Sequence, residues 1–199
     1  MPDIKLATGE ILRVEAVLPA VFRIRLGVDD NFAEPGLVRY GIVRSDWPSV
    51  PCEVTDSGGQ VLVRTGEATL EVERADGRVS LRDASGRLLV AQSRAPRPAA
   101  QPGFELAFAL GPDEHLYGHG DETRERIDKR GHRGMMAVRN VVSYAPIPFL
   151  MSTGGWAVFV NSTWLHNFDA GATDPNELRI WGERGALDYY LMAGANLPE

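Results

Sequence analysis

Residues 69–91 contain three short segments in which apolar side chains alternate with polar ones, and two glycine turns separate them. The turns are Asp76-Gly77 and Ser85-Gly86. Glycine accepts the positive φ of a tight reversal because it has no Cβ to clash. Alternation with a period of two places the apolar side chains on one face of a strand. This stretch therefore predicts a three-strand antiparallel meander.

Short strands are predicted along most of the remaining chain. Residues 21–26 and 104–110 also alternate, and the run Asp188-Tyr189-Tyr190-Leu191-Met192 is rich in residues that suit a pleated surface. No segment carries a long apolar period of 3.6 residues, so we expect no major helix. Further strands are predicted at residues 147–151, 156–161, 164–168, 178–182 and 187–193.

The predicted fold class is all-β, a large two-sheet antiparallel β-sandwich with very little helix. This follows from about a dozen short strands with frequent glycine and proline turns, which must bury their apolar faces against each other. The apolar positions expected in the core are Phe22, Ile24, Leu70, Val72, Leu81, Leu89, Leu106, Phe108, Val158 and Val160.

A single domain is expected over residues 1–199, since a two-layer β domain can reach this length. The proline-rich segment 94–103 cannot form a central strand, because proline removes a backbone donor and fixes φ. We interpret it as an exposed connection between two halves of one sandwich.

Charge and cysteine content narrow the function classes. The formal net charge is −6, which argues against a nucleic-acid partner, since such proteins present a basic surface. The single cysteine, Cys52, excludes an internal disulfide framework and fits a reducing compartment. The N-terminus lacks the apolar run of a signal peptide, and no stretch approaches the ~20 apolar residues of a membrane span. We expect a cytoplasmic protein that has no membrane partner.

Adjacent acidic residues are candidate catalytic groups only if their carboxyl groups face each other, one as an acid and the other as a base or nucleophile. The chain offers Asp29-Asp30, Asp113-Glu114 and Asp121-Glu122. Neighbouring residues on a strand point to opposite faces, so adjacency does not supply a facing pair. No catalytic residue is predicted.

Histidine and glycine patterns predict neither a metal nor a cofactor. His115 and His119 are four residues apart, but they flank a strand or turn, and His132 and His166 lie far away in sequence. A zinc site needs three or four converging ligands. Gly118-His119-Gly120 does not precede a helix, so it lacks the helix amides that cradle a phosphate.

The sequence from Tyr117 to Asn161 combines turn glycines, a fixed Pro-Phe segment and an apolar strand in a distinctive order. It contains Leu116–Glu122, then Tyr144–Ser152, then Gly154–Asn161. This stretch resembles the N-terminal β-sandwich, of the galactose-mutarotase-like type, of glycoside hydrolase family 31, the α-glucosidases and α-xylosidases.

The resemblance implies a noncatalytic domain that packs on its own C-terminal catalytic domain. In this family the nucleophile and the acid/base are aspartates of a (β/α)8 barrel, which is expected after residue 199. The carbohydrate substrate would be bound through that barrel, and the 199-residue chain by itself is expected to be inactive. A face rich in Phe and Trp is expected where the barrel docks, and it can drive self-association.

The resemblance also implies two substrate-binding residues, Arg139 and Asn140. Family members carry a loop at this point, often with an Arg-Asp pair, that leans over the barrel mouth. Here an amide replaces the acid, and Asn can still exchange two hydrogen bonds with a sugar diol. The alternative is a solvated loop that binds no ligand.

Two other functions stay open on the sequence. One is a free-standing carbohydrate-binding sandwich, and the other is an aldose epimerase, which needs a histidine and a carboxylate on one concave sheet face. The aromatic residues that could stack on a sugar are more often core or interdomain residues, since tryptophan is highly buried on average. They are Trp156, Phe159, Trp164, Phe168 and Trp181.

Overall fold

The structure is a computed structural model that describes residues 2–121, 126–137 and 145–195. These residues form sixteen strands and one helix, α1 (Gly36–Arg39). Among them no helix is long and apolar enough to cross a membrane. The strands are β1 (Asp3–Lys5), β2 (Ile11–Leu18), β3 (Val21–Gly27), β4 (Glu53–Asp56), β5 (Gln60–Arg64), β6 (Ala68–Glu73), β7 (Val79–Asp83), β8 (Leu88–Ala91), β9 (Phe104–Ala109), β10 (Leu116–Asp121), β11 (His132–Met136), β12 (Ala145–Ser152), β13 (Trp156–Val160), β14 (His166–Ala170), β15 (Glu177–Gly182) and β16 (Asp188–Ala193).

The strands form two layers. The first is a seven-stranded sheet in the order β1-β2-β3-β16-β13-β12-β10. The second consists of a five-stranded sheet, β4-β5-β6-β7-β8, and a four-stranded sheet, β11-β14-β15-β9. An isolated antiparallel bridge between Gln92 and Phe108 links β8 to β9, so the two sheets continue each other. The predicted all-β sandwich is confirmed.

The meander and the proline-rich connection lie where the sequence predicts them. Strands β6, β7 and β8 pair in succession through the two glycine turns. Segment 94–103 contains no strand and leads from the five-stranded to the four-stranded sheet. Most of the segment is exposed, but Pro96 and Gly103 are buried. A side chain at Gly103 would overlap the backbone of Gly182 and Glu183, so this end of the connection is tightly packed.

The core lies between the two layers and includes every residue that the alternation assigned to it. All ten predicted core side chains are at most 8% exposed, and they belong to one buried cluster. Phe22 and Val158 come from the seven-stranded sheet, while Leu81 and Phe108 come from the second layer. The interlayer packing is therefore the main source of stability, because burial of apolar area drives folding.

One predicted strand begins later than expected. The strand predicted at 164–168 starts at His166, while Trp164 and Leu165 are 48% and 51% exposed. The amide of Trp164 donates to Ser162 Oγ at 3.1 Å instead of to a neighbouring strand. A serine side chain that bonds the backbone two residues on forms a local turn, which competes with the ladder.

Val158→Asp should unfold the domain, because it places an unpaired charge where the native side chain is 1% exposed. The expected loss in the free energy of unfolding exceeds about 4 kcal/mol. Val54→Asp on the edge strand β4 is the matched control, because Val54 is 46% exposed. The control should change stability by about 0.5 kcal/mol or less. Equal urea midpoints for the two variants would show that β13 does not face the core.

Candidate functional site

Three consecutive residues of β10 adopt positive φ. Gly118, His119 and Gly120 have φ of 130°, 65° and 64°. The pairing of β10 with β12 shifts register at this point, from Gly118 with Leu150 to Gly120 with Pro146. One residue of β10, His119, thus lies opposite three residues of β12, 147–149, so this is a β-bulge whose extra residues belong to β12.

Both positions of this bulge need glycine for two reasons. The backbone has a positive φ there, and a side chain would overlap the neighbouring strand. A Cβ on Gly118 would overlap the carbonyl oxygen of Phe149, and a Cβ on Gly120 would overlap that of Ala145. Only glycine lets the backbone of β12 approach this closely. The Gly-His-Gly motif is thus a structural device of the fold, not a phosphate-binding loop.

The bulge turns His119 into the core between the layers, where it is 3% exposed. Its ring lies 3.9 Å from the Phe168 ring, and its Nδ1 atom has no hydrogen-bond partner among the described residues. Burial, with the charge of Lys129 and the nearby His166 and His132, lowers the pKa of His119 to about 3. Burial also lowers the pKa of His166. His119 is therefore a neutral core residue near pH 7.

The predicted sugar-binding loop falls between β11 and β12. Arg139 and Asn140 lie outside the described residues, in segment 138–144. The segment is preceded by Ala137, whose amide donates to Met135 at 3.0 Å, and it leads into β12, whose first residue pairs with the last residue of β10. The two strand ends therefore hold the flanks of this segment at one end of the sandwich.

The outer face of the seven-stranded sheet, turned away from the core, is unusually apolar. Register places Tyr117, Met151, Ala157 and Met192 in one row across four strands, and Phe149, Phe159 and Tyr190 in the next. Most of these side chains are half-buried by their neighbours. We call this surface the outer apolar face; its members are Tyr117, Phe149, Met151, Ala157, Phe159, Tyr190 and Met192.

The outer faces of the second layer are charged instead. In the four-stranded sheet, Arg179 Nε donates to Glu105 at 2.8 Å. In the five-stranded sheet, Arg82 Nε donates to Glu71 at 2.7 Å. Cross-strand ion pairs of this kind suit a surface that remains in water. The part of the seven-stranded sheet formed by β10, β12, β13 and β16 thus differs in polarity from the second layer, whereas β2 and β3 of the same sheet carry charged side chains on their outer side.

An ion-pair network borders the outer apolar face. Arg23 donates to both carboxylate oxygens of Asp188, at 3.1 and 2.6 Å, and Arg25 donates to Glu15 at 2.6 Å. The Arg23 guanidinium lies 5.7 Å from the Tyr190 ring centroid. Burial raises the pKa of Asp188, although Arg23 opposes the shift. The bidentate pair offsets the free energy of removing both charges from water, since a buried charge without a partner would destabilise the fold.

Two of the three adjacent acid pairs lie among the described residues, where they serve local structure or remain in solvent; Glu122 of the third pair, Asp121-Glu122, lies outside the described residues. Glu114 accepts from the indole of Trp156 at 2.6 Å and from the Gly111 amide at 2.7 Å. Asp29 and Asp30 occupy an exposed turn with φ of 51° and 59°. None of these arrangements is the facing carboxylate pair that glycoside hydrolysis requires.

The histidines give no metal cluster within the described residues. One histidine–carboxylate pair is present, with His115 Nδ1 at 2.7 Å from Asp128. Both groups lie at the surface, 54% and 36% exposed. Asp128 also accepts from the amides of Leu116 and Arg130, so it ties the turn before β11 to the start of β10. An epimerase pair on a concave sheet face is not formed by these groups.

The aromatic candidates separate into different environments. Trp156 and Phe168 are core residues, 2% and 1% exposed, while Phe159 belongs to the outer apolar face. Trp181 is half-buried with the Arg179 guanidinium 4.7 Å from its ring. The expectation of core or interdomain packing is confirmed as core packing for Trp156 and Phe168. Interdomain packing of the other three stays a prediction, and Trp164 is exposed in a loop.

The sequence analysis expected an apolar face rich in Phe and Trp but did not locate it, and the outer apolar face contains Tyr, Phe, Met and Ala instead of Trp. Strands with one wet face alternate, whereas strands covered on both faces read as continuous apolar runs. The runs Phe149-Leu150-Met151 and Tyr189–Met192 are of the second kind. They indicate that β12 and β16 carry apolar side chains on both faces.

Comparison with known proteins places this fold in a family. The family model of the glycosyl hydrolase 31 N-terminal galactose mutarotase-like domain matches residues 11–169. Alpha-glucosidase 2 of Bacillus thermoamyloliquefaciens is 28% identical over 178 residues, which are 82% of this chain and 22% of that protein. Alpha-xylosidase A of Aspergillus niger is 36% identical over 66 residues, which are 33% of this chain and 9% of that protein.

Solved structures show the same fold. A Flavobacterium johnsoniae GH31 dextranase complexed with isomaltotriose superposes with a TM-score of 0.77 at 19% identity, covering 95% of this chain and 24% of that chain. A GH31 alpha-xylosidase from a soil metagenome, complexed with xylose, gives a TM-score of 0.73 at 21% identity, covering 94% of this chain and 30% of that chain. The chain spans well under half the length of each protein named here.

The buried His119 predicts a loss of stability in mild acid. The folded state keeps the ring neutral down to a pKa of about 3, whereas the unfolded chain protonates it near 6.5. The stability that His119 contributes by staying neutral is therefore fully present above the unfolded pKa of 6.5. It is lost as the pH falls towards the folded pKa of about 3. From pH 7 to pH 5 the free energy of unfolding should drop by about 2 kcal/mol from this residue.

The variant His119→Asn isolates that contribution, because Asn tolerates positive φ and does not titrate in this range. Urea unfolding of both proteins at pH 7 and pH 5 measures the difference. The variant should show the shallower pH dependence, with His166 supplying part of what remains. The same slope in both proteins would contradict the burial of His119.

Proposed function

The chain belongs to the glycosyl hydrolase 31 N-terminal galactose mutarotase-like domains, and we propose that it is the noncatalytic domain of a retaining α-glycosidase. In this proposal the parent enzyme is an α-glucosidase or α-xylosidase whose active site lies on a separate (β/α)8 barrel. The domain packs on that barrel and lends segment 138–144 to the sugar pocket. The observation that carries the proposal is the outer apolar face on the seven-stranded sheet.

The outer apolar face supports a permanent contact with another folded unit. Soluble monomers seldom expose contiguous apolar patches above a few hundred Å², and such patches often mark interaction sites. Here aromatic and methionine side chains occupy neighbouring rows, and interface cores are enriched in these types. Charged pairs cover the outer faces of the second layer, which disfavours docking there.

A noncatalytic role is supported by the state of the described carboxylates. Glu114 is engaged by an indole and an amide, and Asp188 is held by Arg23. A retaining enzyme needs one acid that shares protons with substrate and one that attacks it, both open to the sugar. We therefore propose that the chain by itself hydrolyses no glycoside.

The proposed contribution to the sugar pocket rests on Arg139 and Asn140. Guanidinium and amide groups together supply donors and acceptors, which sugar hydroxyls require. The flanking strands β11 and β12 are each paired within a sheet, and binding residues are often carried by loops on such a scaffold. The dextranase and the alpha-xylosidase with similar folds are complexed with isomaltotriose and xylose, so α-linked glucose or xylose is the proposed substrate class.

A free-standing carbohydrate-binding sandwich is the second candidate. It is favoured by Trp164, which is 48% exposed in a loop. The reading frame after codon 199 separates the two candidates. A barrel-coding continuation selects the first, whereas a stop codon selects the second.

Asn140→Ala should lower kcat/KM threefold to tenfold in the protein that carries the catalytic barrel. A lost hydrogen bond to a neutral group costs ~0.5–1.5 kcal/mol, which corresponds to that range. The assay is steady-state hydrolysis of p-nitrophenyl α-glucoside and α-xyloside, with Arg139→Ala as the companion variant. The 199-residue chain is the blank and should release no p-nitrophenol.

Two results would contradict the proposal. Turnover by the rigorously purified chain alone would overturn its noncatalytic role. Wild-type kinetics for both alanine variants on every accepted substrate would show that segment 138–144 is only a connector.

A further inference from the structure

A cleft opens at the end of the sandwich where strand β13 leaves the sheet. Its volume is about 90 Å³, and it lies between the segment before α1 and the loop after β13. The two walls approach closely, since a Cβ on Gly36 would lie 2.5 Å from Thr163 Oγ1. We call it the Trp164 cleft; the lining residues that matter here are Glu34, Gly36, Asn161, Thr163, Trp164 and Asp188.

Two buried polar side chains line the cleft. Asn161 and Asp188 are 2% and 5% exposed. Asn161 Nδ2 donates to Asp188 Oδ2 at 3.2 Å, and Arg23 donates to the same oxygen at 2.6 Å. A carboxylate only accepts, so the amide nitrogen of Asn161 must face it and the amide oxygen must point away.

The Oδ1 atom of Asn161 consequently accepts no hydrogen bond from any residue that the structure describes. Buried acceptors in native proteins nearly always have a partner, so an unsatisfied one calls for an explanation. Asn161 lines the cleft, but Oδ1 itself exposes less than 1 Å², so a donor that enters from solvent reaches it only when the side chains covering the atom move aside. A hydroxyl group supplies such a donor without adding charge.

Trp164 gives the cleft an aromatic border. Its indole is 48% exposed, and the Arg184 guanidinium lies 5.5 Å from the ring. The loop that presents it is fixed on both sides, because Ser162 Oγ accepts from its amide and His166 Nδ1 lies 2.8 Å from its carbonyl oxygen. A large amphipathic ring held rigidly at the surface loses little entropy when it binds.

The carboxylates that line the cleft are both paired. Glu34 lies 3.3 Å from Arg39 and Asp188 lies 2.6 Å from Arg23, so neither offers a free charge for an ionic ligand to pair with. A divalent cation is not favoured, since the described residues form no group of three metal-ligating side chains. What remains is a neutral ligand that has hydroxyl donors and an apolar ring face for the indole. A pyranose ring has both properties.

We propose that the Trp164 cleft binds one pyranose unit of a neutral saccharide. The indole covers one face of the ring, and a ring hydroxyl donates to Asn161 Oδ1. This site is distinct from Arg139 and Asn140, and it needs only groups of this chain. It adds a carbohydrate contact to the domain whether or not a catalytic barrel is docked.

Titration of the 199-residue chain with isomaltotriose tests the proposal. Isothermal calorimetry should show saturable binding, and Trp164→Ala should raise Kd at least tenfold. Trp181→Ala is the matched control, since it removes another arginine-capped tryptophan, with Arg179 at 4.7 Å, from outside the cleft. The control should keep the wild-type Kd.

An NMR measurement keeps the test decisive if a variant fails to fold. In the wild-type chain, isomaltotriose should shift the indole N–H of Trp164 and the amides of Gly185 and Ala186, which also line the cleft. No binding by the wild-type chain, or binding that maps elsewhere and survives Trp164→Ala, would overturn the proposal. Neither result bears on the docking of a barrel, which is tested separately by kinetics.

Discussion

The run of positive φ at Gly118, His119 and Gly120 is the constraint on which this end of the sandwich depends. It places a histidine in the core and coincides with a register shift of β10 against β12, beyond which Asp121 pairs with Ala145 at the start of β12. Non-glycine residues pay a steric cost in this region of φ, so surrounding packing must over-determine it. Here the ring of Phe168 and the backbone of β12 supply that packing.

The polarity of the two outer surfaces connects the fold to the proposed function. Both layers bury their inner faces in one core, yet only the seven-stranded sheet carries apolar rows on its outer side. In an isolated domain these apolar rows would face water, which is unfavourable. Such a sheet is suited to a sandwich that completes its burial against another domain, with the buried pair of Arg23 and Asp188 at the border.

Much of the architecture could be predicted because local signals agree with it. The turn glycines and the alternation around residues 69–91 specify the meander, and the same alternation gave the buried core. The start of β14 could not be placed, since it depends on a side-chain bond from Trp164 to Ser162 that leaves no periodic trace. The bulge was visible as a glycine motif, but its effect on His119 depends on tertiary pairing with β12.

The site was less predictable than the fold. Arg139 and Asn140 stay a prediction, because they lie outside the described residues. The outer apolar face depends on which side chains of four different strands fall into register, and periodicity in one strand does not supply that. The Trp164 cleft joins residues far apart in sequence, Glu34, Asn161 and Asp188, and only the fold brings them together.

Hydroxyl-radical footprinting tests the docking of the outer apolar face most directly. Met151 and Met192 should be oxidised in the isolated chain, since part of each side chain is accessible on the outer side of the seven-stranded sheet. In the protein that carries the catalytic barrel, their oxidation rates should fall several-fold, while Trp181, on the charged face of the second layer, should react equally in both. Unchanged rates at Met151 and Met192, with protection at Trp181, would contradict the account.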